Sequence, residues 1–560
     1  MRIFLYNKYF YTSGGGEKHA GGIAEVLSQK HEVFILHEGK VDIGVLSEKL
    51  SLDLSRVQFI QIGQQWKDMD AEVLALVEEY RPDLFINSTY LSALIVNGPL
   101  RASLIFFPRH FYTKIPSYTE KIKYQMGRVL FSEYDRTVSM QEGFSHEEFN
   151  KGTVGRWSYE NSVIVLKHAF SHADIYFNDF KGRFSAEKVK SIRIDGTEVA
   201  FHKQKGRLQI KYKAPAGAKI ELDFTTFRPS EVEENSQDDR DLGLFLTQVN
   251  TDALSLYSRL IVTLWQIRPF RRVLNSLYVK MHLMRDYYHY RNFLYAHLNL
   301  SNSIYTDSWI RRIYGDKGVE TALLYPPVDV EKFTNSEKKL NRIISVGRFF
   351  VGGHNKKQLE LIKAFKRMYD RYPEARNYEL HLCGGTHKER VHQDYVRLCK
   401  LSAQGYPIKF HLDIPFTTLS GLYASARIFW HGAGMNEDES RHPDKFEHFG
   451  ITTVEAIASG CVPVVIGVAG QLEIVKHKET GFLWNSEEEL IGHTLSLIRN
   501  EDLANKLAEK AVQSVRIFGR DTFNKRVWEI FENMPGFAER SEQEEGVDKQ
   551  PLEKEEFLER

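Results

Sequence analysis

Residues 1–148 alternate short apolar runs with stretches of helical spacing. MRIFLYN at the start reads as a short buried strand, and Ser13-Gly14-Gly15-Gly16 follows it as a turn. Ile23, Val26 and Leu27 then recur at helical spacing, and 32–37, 83–87 and 104–107 read as further buried strands. Buried strands alternating with amphipathic helices predict a parallel sheet with helices on its faces.

Past residue 149 the period shortens to two. VIVLKHAF, ADIYFNDF, KSIRIDG, RLQIKYK and AKIELDFTTF are short alternating runs parted by Gly, Asp and Pro turns. They predict a small antiparallel sandwich or barrel. The acidic stretch 230–241 lacks apolar periodicity and reads as a loop. Strands at 342–346, 379–383, 408–411, 428–431 and 462–466 then alternate with helices such as 357–372, a second α/β half. The pattern therefore predicts an α/β chain in which 1–148 and 252–335 form the first half and 149–251 an inserted β domain. Residues 336–515 form the second half, 516–537 a helix crossing back to the first, and 538–560 a charged, disordered tail.

Composition narrows the function classes. Lys and Arg number 75 against 74 Asp and Glu, so the net charge of +1 gives no sign of a nucleic-acid binder. Three cysteines, Cys383, Cys399 and Cys461, are too scattered for a disulfide framework or a zinc knuckle and are expected to be buried thiols. The first apolar run is too short for a signal peptide, and Arg259 and Arg268 interrupt the longest apolar stretch, 254–270. A cytoplasmic protein with at most peripheral membrane contact is expected.

The chemistry concentrates after residue 447, in Glu-His-Phe-Gly-Ile-Thr-Thr-Val-Glu followed by Ala-Ile-Ala-Ser-Gly-Cys-Val-Pro-Val-Val. Two glutamates flank a glycine turn that opens a helix. A carboxylate can accept two hydrogen bonds from a vicinal diol, as Glu455 could from a ribose. The turn formed by Phe449, Gly450, Ile451 and Thr452 leaves helix N–H groups free to face a diphosphate. Glu447 would then lie beside a sugar ring. Upstream, Val346-Gly347-Arg348-Phe349 follows a strand, and Asn355-Lys356-Lys357-Gln358 opens the next helix. Arg and Lys there can neutralise a departing diphosphate, work a metal ion does in other transferases.

This ordered set resembles the donor domain of the retaining GT-B glycosyltransferases of family four. Arg348, Lys356, Glu447 to Glu455, and the loop Gly467-Val468-Ala469-Gly470-Gln471-Leu472-Glu473 each match a part of that family's pattern. The insert between Arg348 and Lys356 is longer and richer in glycine than the family's turn, which leaves Lys356 and Lys357 as alternatives for the phosphate contact; the register on Ala364-Phe365 favours Lys356. The resemblance implies two Rossmann-like domains facing a cleft. It further implies retaining, metal-independent transfer of a sugar such as mannose or glucose. The donor would be GDP- or UDP-linked, with no other cofactor, and the acceptor a glycan or lipid-linked glycan. Ser13-Gly14-Gly15-Gly16-Glu17-Lys18 is similar to the family's N-terminal glycine loop, which places Gly15 and Gly16 against the donor. Phe107-Pro108-Arg109-His110 follows a strand where the family often carries a histidine, which makes His110 an acceptor-side candidate. The stretch 303–325 with the glycine loop is similar to the lipid-linked-oligosaccharide mannosyltransferases.

Other readings stand beside this one. His431, Asp438, Glu439, His442, Asp444, Glu447 and His448 crowd together, but their irregular spacing fits no single helix face, so no metal site is expected. Between 268 and 300, basic residues mix with Leu274, Leu277, Tyr278, Met281 and Met284 at helical spacing. That pattern fits a membrane-surface helix or, by preference, an amphipathic helix packed on its own domain. A carbohydrate-binding protein with an inactive donor domain and a sugar-nucleotide epimerase of the same architecture are the alternative functions.

Overall fold

The computed structural model describes residues 1–12, 14–63, 69–89, 92, 94–108, 118–140, 144, 148–150, 153–178, 188–204, 206–228, 242–289, 295–315, 318–336, 338–352, 355–387, 389–440 and 442–542. The acidic loop 230–241 and residues 543–560 lie outside them; the first residues of the tail expected to be disordered, 538–542, are instead helical, in Phe537–Glu542, where Arg540 donates to the Asp83 carbonyl. The chain forms two compact units, Met1–Thr113 with His289–Arg560, and Lys114–Tyr288.

The larger unit holds two parallel sheets. Seven strands make the first, in the order Thr321–Leu323, Leu298–Ser301, Leu100–Ile105, Leu84–Asn87, Arg2–Tyr6, Glu32–Glu38, Val57–Ile62. Ile3, Leu5, Ile35 and Ile86 are fully buried, which is why these strands read as unbroken apolar runs rather than alternating ones. The second sheet has the order Ile408–Leu412, Glu379–Gly384, Leu340–Val346, Ala426–His431, Val462–Ile466, Phe482–Trp484. In both, the chain starts at a central strand, builds outward on one side, then returns to build on the other. That reversal leaves a crevice beyond the carboxyl ends of the two inner strands, where ligands of such sheets bind. The helix Arg520–Glu532 packs Phe523, Val527, Ile530 and Phe531 into the core of the first sheet. Gly22 permits its approach, since a Cβ there would lie 3.0 Å from the Phe523 ring.

The smaller unit holds two antiparallel sheets, of six and five strands. It is wider than the period-two pattern implied. The helices Tyr118–Thr137, Leu256–Gln266 and Arg268–His289, which the sequence pattern assigns largely to the first α/β half, belong to it instead. Their apolar faces meet one another: Phe131, Trp265 and Tyr278 cluster with ring centroids 4.5–5.2 Å apart. Tyr134 Oη accepts a hydrogen bond from the backbone N–H of Val249, tying a helix to a strand. Gly127 lets two helices touch, because a Cβ there would sit 2.7 Å from the carbonyl oxygen of Leu277. Leu274, Leu277, Tyr278, Met281 and Met284 are all buried, so this stripe packs within its own unit and is no membrane face.

Candidate active site

The switch point of the second sheet lies between Leu340–Val346 and Ala426–His431, which pair in parallel. Chain leaves their carboxyl ends through Gly347 and Gly432. A Cβ on Gly347 would meet the Lys356 stem at 2.5 Å, and one on Gly384 would strike the Gly347 carbonyl, so backbone and lysine close tightly over the sheet edge. His431 ends its strand 3% exposed and points its Nε2 at Glu447 Oε2, 2.9 Å away. Lys356 Nζ reaches the same oxygen at 2.6 Å.

Glu447 thus carries two cationic or polar partners on one carboxylate oxygen. Burial is the largest single influence on its proton and acts to raise the pKa. The Lys356 charge and the His431 hydrogen bond together outweigh burial and hold the carboxyl well below the usual carboxylate range. The side chain stays 19% exposed, enough for a ligand hydroxyl to reach it. Arg348 extends into solvent with no ion-pair partner among the described residues. Lys357 is engaged elsewhere: its Nζ pairs with Glu437 at 2.7 Å, and Glu437 also holds Lys445. That ion cluster anchors the loop leading to Glu447, so of the two adjacent lysines Lys356 is the one beside Glu447.

The turn after Glu447 depends on Gly450, whose φ of +117 only glycine adopts without strain. It opens the helix Ile451–Ala458, and Thr453 and Val454 N–H groups close back onto the Gly450 carbonyl. The Ile451 and Thr452 N–H groups have no partner among the described residues and carry the positive end of the helix dipole. The loop Gly467–Glu473 braces the turn: Gly470 N–H donates to the Glu447 carbonyl at 3.0 Å, and Thr453 Oγ1 to Gln471 Oε1 at 2.9 Å. Phe449 turns its ring into the core against Tyr325 and Phe518, so only its backbone is available to a ligand.

One turn further along the helix, Glu455 accepts a hydrogen bond from Tyr423 Oη at 3.3 Å. Burial dominates here; Lys18 and Tyr423 offset only part of it, and the carboxyl is pushed up to about 7. The two glutamates therefore differ: Glu447 is a firm anion, and Glu455 titrates near neutrality.

The first half contributes at close range. A Cβ on Gly15 would sit 3.1 Å from Ile451 Cδ1, and one on Gly16 3.1 Å from the Phe106 ring. The glycine loop therefore lies directly against the free end of the helix Ile451–Ala458. Lys18, on the helix Gly15–Leu27, pairs with Asp329 at 2.6 Å, and Arg520 holds Asp329 from its other side at 2.7 Å. Phe107 stacks on His448, with ring centroids 4.1 Å apart and a 13° tilt. Glu473 accepts from the Ile304 and Tyr305 N–H groups, both at 2.8 Å, capping the helix Ile304–Tyr314. His110 lies outside the described residues. Among the described residues, no three His, Cys, Asp or Glu side chains gather to hold a metal ion, and no helix is long and apolar enough to cross a membrane. All three cysteines are free and buried.

Of the residues singled out in the sequence, Lys356 and Glu447 are in direct contact, Gly15 lies against the helix that carries Glu455, and Arg348 is exposed; the contact His431 makes with Glu447 was not anticipated. The available signal was a histidine at the carboxyl end of a switch-point strand. The Lys18–Asp329–Arg520 link had no local signal, because its members are 311 and 191 positions apart.

Residues 329–514 match the family model described as Glycosyl transferases group 1. The GDP-Man:Man(3)GlcNAc(2)-PP-Dol alpha-1,2-mannosyltransferase of Caenorhabditis elegans is 29% identical over 247 residues, 41% of this chain and 49% of that protein. The Homo sapiens protein of the same name is 31% identical over 222 residues, 36% of this chain and 42% of that protein. The chain spans about half the length of the curated relatives it matches. Among solved structures, Anabaena HepE in complex with UDP and glucose aligns over 95% of this chain and 100% of its own, with a TM-score of 0.50 and 13% identity. The fold is GT-B, with two Rossmann-like domains.

Proposed function

We propose that this chain, whose residues 329–514 match the group 1 glycosyl transferases, is a retaining, metal-independent hexosyltransferase. In this reading it moves mannose from a GDP-linked donor to a lipid-linked glycan at the cytoplasmic face of a membrane. The names of its curated relatives support the donor and the acceptor class. A UDP-linked donor carrying glucose is the competing choice. The observation that carries the reading is the juxtaposition of Glu447, held by Lys356 and His431, with the free N–H groups of Ile451 and Thr452.

The diphosphate lies over the helix N-terminus, with Arg348 and Lys356 supplying positive charge as the glycosidic bond breaks. Glu455 accepts the ribose hydroxyls. Glu447 orients the transferred sugar by accepting from its hydroxyls. The acceptor hydroxyl attacks C1 from the side on which the diphosphate leaves: the C1–O bond to acceptor forms, the C1–O bond to phosphate breaks, and the acceptor proton passes to the departing phosphate oxygen. Gly15 and Gly16 leave room for the donor, and His110 serves the acceptor side. Lys357 is the alternative phosphate ligand; each lysine has a carboxylate partner, Lys357 in Glu437 and Lys356 in Glu447, and the place of Lys356 beside Glu447 favours it.

Labelled GDP-mannose and UDP-glucose, each offered with a lipid-linked glycan in the presence of EDTA, test this. An α-linked product from GDP-mannose is expected. Epimerised nucleotide sugar, or glycan binding with no transfer from either donor, would overturn it.

A further inference from the structure

The smaller unit leaves an apolar surface uncovered. Leu256, Tyr257, Leu260, Ile267, Phe270 and Val273 are between 44% and 82% exposed. Leu256 and Leu260 are four apart on one side of the helix Leu256–Gln266, and Phe270 and Val273 three apart on one side of Arg268–His289, with Ile267 in extended backbone between the two helices. These are not the core residues of the two helices, since Val262, Trp265, Leu274, Leu277 and Met281 already fill their buried sides.

The charge of the same segment is one-sided. From Ala253 to Arg285 it contains no Asp or Glu, against Arg259, Arg268, Arg271, Arg272, Lys280 and Arg285. Two of these cations are structural: Arg271 donates to the carbonyls of Trp265 and Gln266 at the helix end, and Lys280 pairs with Glu120 at 2.7 Å. Arg268 and Arg272 are exposed and have no ion-pair partner among the described residues, although the whole chain is nearly neutral at +1. Nucleic acid would match the arginines and leave Leu256, Leu260 and Phe270 in water. A bilayer carrying anionic lipid matches both, with apolar side chains in the headgroup–acyl boundary and guanidinium groups on the phosphates.

We propose that the exposed apolar and basic side chains of the two consecutive helices between Leu256 and Val273 dock this chain onto an anionic membrane surface. The inference deepens the peripheral membrane contact of the proposed function by naming the surface that makes it and the lipid charge it needs.

Sedimentation of the full chain with vesicles of phosphatidylcholine containing about a third phosphatidylserine, against phosphatidylcholine alone, is the test. Binding to the anionic vesicles only, weakened by salt, is expected. Each arginine at such a surface is worth about a factor of five in partitioning, so Arg268→Ser with Arg272→Ser should lower binding roughly 30-fold. Leu260→Ser with Phe270→Ser should abolish it. Both double variants should keep wild-type transfer to a soluble acceptor, which also shows that they fold. Equal binding to neutral vesicles, or undiminished binding by both variants, overturns the proposal. So does a concentration-dependent dimer of the wild type that Phe270→Ser dissolves, since the face would then belong to a second copy. Loss of transfer from every donor with vesicle binding intact would instead count against the proposed reaction and leave the docking surface standing.

Discussion

Replacing Lys356 by Met keeps the stem that packs on Gly347 and removes the charge 2.6 Å from Glu447. Breaking a buried ion pair by deleting one partner costs about 3–5 kcal/mol. These side chains are 22% and 19% exposed, and His431 still holds the carboxylate, so about 2–3 kcal/mol is expected at neutral pH. The pH dependence is specific. In the wild type the Glu447 carboxyl is held well below its ordinary range. Its contribution is therefore present above the unfolded pKa of about 4.3 and lost as pH falls through the folded value. In Lys356→Met burial prevails, the folded pKa rises, and the carboxyl takes a proton at mildly acid pH. The deficit of the variant should shrink steadily as pH drops from neutrality toward the ordinary carboxylate range. Urea unfolding followed by the fluorescence of Trp430 and Trp484, both buried in the second half, reads this directly. Adding Glu447→Gln to the variant should restore most of the loss. A deficit under about 0.5 kcal/mol, or one independent of pH, would refute the assignment of Lys356 and Glu447 as a coupled pair.

Three further outcomes follow from the same geometry. Gly450→Ala forces φ of +117 on a residue with a Cβ, and that Cβ would lie 2.5 Å from Gln471 Nε2. A loss of about 1–3 kcal/mol in urea unfolding, together with weaker nucleotide binding by calorimetry, is expected. Glu455→Gln should behave in the opposite way: the folded carboxyl titrates near 7, so stability falls as pH rises from the unfolded pKa through that value, and the glutamine removes the penalty. Unfolding midpoints should show the variant more stable than wild type at pH 8 and equal to it near pH 4. Arg520→Ala strips partners from Asp329 and Glu25, and a loss of about 2–3 kcal/mol in urea unfolding is expected from these partly buried pairs.

The second sheet was legible because its strands are apolar on both faces and its helices strongly amphipathic, and the Glu447–Glu455 spacing carried the turn between them. What periodicity could not say is which sheet a helix covers. The apolar stripe of Arg268–His289 is equally good against either unit, and only the ring cluster of Phe131, Trp265 and Tyr278 fixes it. Lys356 and Lys357 both stood as candidates for phosphate, the register on Ala364-Phe365 favouring Lys356, and no local signal announced that Lys357 pairs with Glu437 from a distant loop. Glu455 shows a similar limit: its identity was readable, but its proton is set by burial and by Tyr423 from another element.

In the proposed reaction Glu455 and the open end of Ile451–Ala458 bind a nucleotide diphosphate without a metal. Thermal unfolding with GDP, GDP-mannose, UDP and UDP-glucose in EDTA measures it most directly, since a ligand at ~100 times its dissociation constant adds ~2.7 kcal/mol. A clear upward shift with the GDP compounds is expected for the wild type and none for Glu455→Ala. An undiminished shift in that variant, or no shift with any nucleotide in the wild type, would contradict it.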